Sequence, residues 1–113
     1  MFKFKFNFFK KIFVRKDDTS ETDLKSIIKN GAFLADLRTP AEFSQGHIKG
    51  STNVPLNELG KSLNKFRNHK NIVVVCFSGN RSGFAKDILE KKGFLNVING
   101  GAWEEIDQLL KAN

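Results

Sequence analysis

The stretch Ile72-Val73-Val74-Val75-Cys76-Phe77-Ser78-Gly79-Asn80-Arg81-Ser82-Gly83-Phe84 decides the fold. An unbroken β-branched run ends in the chain's single cysteine, a short polar loop with two glycines follows, and an apolar pattern of helical spacing then begins at Phe84, Ala85, Ile88 and Leu89. A short apolar run bounded by turn signals predicts a strand buried on both faces, as in a parallel sheet. Cys76 then lies at the carboxyl end of a central strand and faces a helix start, where open α/β sheets bind ligands. A loop curling into a helix N-terminus turns several backbone N–H groups inward and adds the positive end of the helix dipole, which makes an anion cradle. A cysteine at its centre is favoured as thiolate. Gly79 permits positive φ or close backbone approach, and Arg81 adds a fixed positive charge. The bland alternative is that Cys76 is a small buried hydrophobe; the polar loop behind it argues for chemistry.

Outward from this stretch, alternating strand and helix signals predict an α/β sandwich with a mainly parallel sheet and helices on both faces. Thr22 is expected to cap a helix over 23–30 that Gly31 ends, and residues 32–37 read as a buried strand. Thr39 at the N-cap with Pro40 behind it starts a short helix containing Glu42 and Phe43. Residues 51–54 form a short strand closed by Pro55, and Leu56, Leu59, Leu63 and Phe66 have helix spacing. After the loop, Ser82 is expected to cap a helix over 83–92. Residues 94–98 make the last strand, Asn99-Gly100-Gly101 a flexible turn, and residues 102–111 a closing helix with Trp103, Ile106, Leu109 and Leu110 on one side.

The chain has 113 residues, one domain's worth, and its size supports a core without disulfides or metal. One cysteine excludes an internal disulfide and a multi-cysteine zinc site, and a bare reactive thiol suits a reducing compartment such as the cytoplasm. The net charge of +7 is uneven: residues 1–16 hold six Lys and Arg and no acid, while the rest carries 13 basic and 12 acidic residues. The charge therefore belongs to an arm, and it gives no sign of a nucleic-acid partner. Residues 1–19 read as a basic arm and linker, and residues 20–113 as the domain. The arm holds six of the twelve phenylalanines. Its residues 1–16 fit packing on the domain or a neighbouring copy, lying on an anionic membrane surface, or a mobile tail.

Three motifs in order then carry a family resemblance. The loop Cys76-Phe77-Ser78-Gly79-Asn80-Arg81-Ser82-Gly83 resembles the active-site loop of single-domain rhodaneses. The stretch from Asp36-Leu37-Arg38-Thr39-Pro40 to Gly46-His47-Ile48-Lys49-Gly50 and Val54-Pro55 resembles that family's first signature, and the stretch from Gly93 to Gly100-Gly101-Ala102-Trp103 its closing motif. The resemblance implies a rhodanese-like three-layer sandwich and a sulfurtransferase. It makes Cys76 the catalytic nucleophile and Phe77, Ser78, Gly79, Asn80, Arg81 and Ser82 substrate-binding. Asp36 and Arg38, by themselves readable as a structural ion pair or as part of a site, become supporting residues. His47, which invites a general-base reading, falls in a structural turn.

Cysteine phosphatases and arsenate reductases resemble Cys-x5-Arg, whereas only four residues separate Cys76 from Arg81. A tighter ring favours one sulfur atom over a phosphoryl group. The implied reaction is two-step and covalent, through a Cys76 persulfide, from thiosulfate or a low-molecular-weight persulfide to cyanide or a thiol. No metal or organic cofactor is implied. The partners are a small-molecule donor, a thiol acceptor and an acceptor protein, with peripheral membrane attachment or self-association through residues 1–16 as roles for the arm. The alternative is a persulfide-carrying or regulatory interaction module with little turnover on free thiosulfate.

Overall fold

The computed structural model of the chain describes residues 19–112. The expectations for the arm over 1–16 lie outside the described residues. Four parallel strands, β1 (Phe33–Asp36), β2 (Thr52–Asn53), β3 (Ile72–Cys76) and β4 (Val97–Ala102), form one sheet in the order β2-β1-β3-β4. The helices are α1 (Glu21–Lys29), α2 (Pro40–Ser44), α3 (Asn80–Lys91) and α4 (Trp103–Lys111).

Every residue of β3 is buried, as the apolar run predicts for a strand covered on both faces. Strand alternation sorts its side chains. Ile72, Val74 and Cys76 pack with Ala85 and Leu89 of α3 and with Leu59 and Phe66, while Val73 and Val75 pack with Leu24 of α1 and Ile106 of α4. Each fully buried Val contributes roughly 1.5–3 kcal/mol. Asp36 of β1 pairs with Val75 of β3, and between these two strands the strand order reverses direction, so the crevice of the α/β sheet opens at their carboxyl ends.

Several local expectations change. Ser20, not Thr22, caps α1, its side chain accepting from the Asp23 N–H. Residues 56–66 are two 3-10 segments, Leu56–Lys61 and Leu63–Phe66, rather than one α-helix. Gly60 and Asn64 are weak helix formers there, and Leu59 and Phe66 reach the core without α geometry. The Asn99-Gly100-Gly101 turn is instead part of β4, which bulges between the pairs Val74–Asn99 and Val75–Gly101. A Cβ at Gly100 would lie 3.0 Å from Val73 Cγ1, so the bulge needs the missing side chain. Among the described residues no helix is long and apolar enough to cross a membrane.

Candidate active site

Cys76 is 1 % exposed and its sulfur sits in the turn between β3 and α3. The Gly79 N–H donates to Sγ at 3.0 Å and the Ser82 N–H at 3.3 Å, while Ser82 Oγ lies 3.4 Å from it. Gly79 is the N-cap of α3 at φ 103°, a left-handed conformation that costs other residues about 1–2 kcal/mol. That conformation lets the chain double back so that successive amides face one point. The cap expected at Ser82 is therefore a correction: the helix starts earlier, at Asn80, and Gly79 caps it without a side-chain bond.

Ser82 is completely buried and has a different task. Its hydroxyl lies 2.7 Å from Asn99 Oδ1 and 3.1 Å from the Gly79 carbonyl. Asn99, 1 % exposed, also accepts the Gly101 N–H at 3.0 Å and directs its amide at the Gly79 carbonyl. The β4 bulge thus holds Asn99 under the loop as a strut between strand and cradle. Sequence reading missed Asn99. An asparagine in front of two glycines reads as a turn by its local chemistry, and only the register with β3 turns it inward.

The other loop residues spread outward. Phe77 is 62 % exposed, Ser78 half-buried, and Asn80 exposed. Arg81 is not a free cation. Its guanidinium forms a fork with the Glu42 carboxylate of α2, at 2.8 Å and 3.1 Å. Thr39 and Glu42 form a capping box, so Glu42 both closes the start of α2 and reaches Arg81. The Arg81 hydrogen bond, helped by the Thr39 N–H, lowers the Glu42 carboxyl to about 2. Arg81 is raised by the same bond, with smaller contributions from the charges of Cys76 and Asp36. The pair also compensates for a cation in the first turn of a helix, where the dipole disfavours it.

Asp36 and Arg38 form a buried pair. Arg38 Nε and Nη2 donate to the Asp36 carboxylate at 3.0 and 2.8 Å, Nη2 also to the Gly46 carbonyl at 2.7 Å, and Nη1 to the Glu42 carbonyl. The guanidinium lies 4.3 Å from the Trp103 ring centroid. One side chain thereby ties together the end of β1, helix α2, the turn at Gly46 and the start of α4. His47 is exposed, stacks on Phe43 and places Nδ1 2.8 Å from the Phe43 carbonyl, a contact that fixes its turn.

Cavities flank the loop. One of about 250 Å³ is lined by Arg38, Glu42, Phe77, Trp103 and Glu104 among others. A second, of about 310 Å³ and mostly apolar, runs past Leu37, Pro55, Leu56 and Arg81. Phe77 and Arg81 of the cysteine loop line these cavities, while the Cys76 sulfur lies buried beneath the loop in its amide nest, an arrangement suited to holding a small anion.

A family profile described as Rhodanese-like domain matches residues 20–107. A Bacillus subtilis protein described as uncharacterized, YqhL, is 40 % identical over 68 residues, 60 % of this chain and 54 % of its own length. The thiosulfate sulfurtransferase PspE of Escherichia coli is 36 % identical over 73 residues, 63 % of this chain and 70 % of that protein. The chain thus spans about half the length of the first of these relatives. Among solved structures, a rhodanese with anions from E. coli superimposes with a TM-score of 0.61 at 33 % identity, covering 67 % of this chain and 92 % of that one.

Proposed function

Because the chain belongs to the rhodanese-like family of sulfurtransferases, we propose that it moves a sulfane sulfur through a persulfide on Cys76. The observation that carries this reading is the pair of backbone amides directed at the one cysteine sulfur. The Cys76 thiolate attacks the outer sulfur of the donor. The donor's S–S bond breaks as the Sγ–S bond forms, and sulfite (from thiosulfate) or a thiolate (from a persulfide) departs with the bonding electron pair. The negative charge then rests on the terminal sulfur, within reach of the same loop amides. In the second step cyanide or a thiolate attacks that sulfur and Cys76 leaves as thiolate, so no external oxidant or reductant enters.

In this reading Phe77, Ser78, Gly79, Asn80 and Ser82 shape the donor site, chiefly through the backbone. Asp36 and Arg38 support it by fixing the neighbouring loops. Steady-state kinetics with varied donor and cyanide test the scheme: a persulfide intermediate gives parallel double-reciprocal lines, and intersecting lines contradict it. The reading as a sulfur carrier with little turnover has no separate structural observation in its favour.

A further inference from the structure

Each of the two cations lining the cavities beside the loop is already engaged by a carboxylate: Arg38 by Asp36 within the fold, and Arg81 by Glu42 at the surface. Glu104, exposed in the first turn of α4 and lining the same cavity as Glu42 and Phe77, has no ion-pair partner among the described residues. The cavity lined by Phe77 thus presents one unbalanced carboxylate, Glu104, beside the paired Glu42, and its cation Arg38 is already taken up by Asp36. The cavity on the other side of Arg81 is walled by Leu37, Pro55 and Leu56, apolar surface that suits a carbon skeleton.

We propose that Glu42 is a specificity-determining residue, which by holding Arg81 turns the site away from dianionic thiosulfate and toward organic persulfides whose group beside the sulfur is neutral or cationic. The inference rests on the sulfurtransferase reading and names its donor class. Thiosulfate would have to separate Arg81 from Glu42 and approach two carboxylates, Glu42 and Glu104. A persulfide R–S–SH can present its outer sulfur to Cys76 with the ion pair intact, lay its R group along the apolar wall and leave as RS⁻. The Glu42 carboxylate stays ionised at any working pH, held near 2 by Arg81 and the Thr39 N–H, so the latch is a fixed feature of the site.

The test compares thiosulfate with cysteamine persulfide, both with cyanide as acceptor, in the unmodified chain and in Glu42→Gln. Glutamine retains the capping box with Thr39 and removes the charge. The expected result is a rise of about tenfold in kcat/KM for thiosulfate, carried mainly by KM, as Arg81 becomes available for a charged hydrogen bond. Cysteamine persulfide should stay level or fall. Intrinsic donor reactivity cancels in this ratio of ratios, and a merely structural loss would move both donors together. Equal changes for both donors, or a fall for thiosulfate alone, overturn the proposal. If Glu42→Gln does not fold, the surface variant Glu104→Gln decides. It should shift the same ratio toward thiosulfate by about twofold at low salt, and an unshifted ratio overturns the proposal. Absence of sulfur loading from either donor defeats the sulfurtransferase reading itself, and this inference with it.

Discussion

Glu42 and Arg81 stand 39 positions apart in the chain, yet their carboxylate and guanidinium meet at 2.8 Å and 3.1 Å beside the cysteine loop. The contact joins the helix that follows β1 to the helix that follows β3, and so ties two loops of the crevice together. Both side chains are about a third exposed, 33 % and 38 %, so solvent screening keeps the contribution of the pair to stability below about 1 kcal/mol. Its main consequence is to fix where the loop cation points.

That pair sets a pH dependence. The Glu42 carboxyl is depressed from 4.5 to about 2 in the folded chain, so its stabilisation is complete above the unfolded value of 4.5 and is lost as pH falls from there through 2. Glu42→Ala, which also loses the capping box, should destabilise by about 1–2 kcal/mol at pH 7. The difference between the two proteins should narrow below pH 4.5. Urea denaturation at pH 7, 4 and 3 measures it; a constant difference would mean that the ion pair contributes nothing.

Replacing Asn99 by Ala removes the acceptor for the Ser82 hydroxyl and the Gly101 N–H, both buried. The Gly101 N–H is left without this acceptor while the Ser82 hydroxyl falls back on the Gly79 carbonyl, so the loss should be about 1–3 kcal/mol, and turnover should fall because the loop loses its strut. Thermal melts and donor kinetics together check this. Undiminished activity in a destabilised protein would show that the cradle does not depend on Asn99.

Gly79→Ala places a Cβ at φ 103°, costing about 1–2 kcal/mol and turning the 79 amide away from Sγ. Activity should fall more steeply than stability, since one of the two amide donors to the sulfur is displaced. The comparison is kcat/KM against the urea midpoint.

Arg38→Ala strands the Asp36 carboxylate, which is 0 % exposed, and frees the Gly46 and Glu42 carbonyls. Breaking a buried pair in this way typically costs about 3–5 kcal/mol. Arg38→Lys should recover only part of it, because an ammonium cannot reproduce the fork or the stacking on Trp103. Equal stability of the Lys variant and the unmodified chain would contradict the buttress role.

The sequence made β3, its two-sided burial and the position of Cys76 legible, because the apolar run and the glycine loop are local signals. Thr39 with Pro40 at the start of α2 was legible for the same reason. What escaped was non-local. The reading of Arg81 as a fixed positive charge at the cradle left out its partner Glu42, which only the sheet brings within reach. Ser82 looked like a cap because a serine before a helical pattern usually is one, and positive φ at Gly79 moved the helix start ahead of it. Asn99 was hidden by a bulge whose register depends on Val73 and Val75 of the adjoining strand.

The most direct test of the central claim is intact-protein mass measurement of the chain and its Cys76→Ser variant after mixing with thiosulfate or cysteamine persulfide, before and after cyanide. The account predicts a gain of one sulfur atom on the unmodified chain, removed by cyanide and absent from a Cys76→Ser variant that melts at about the same temperature. No gain from either donor, or an equal gain on the serine variant, would contradict sulfur transfer at Cys76.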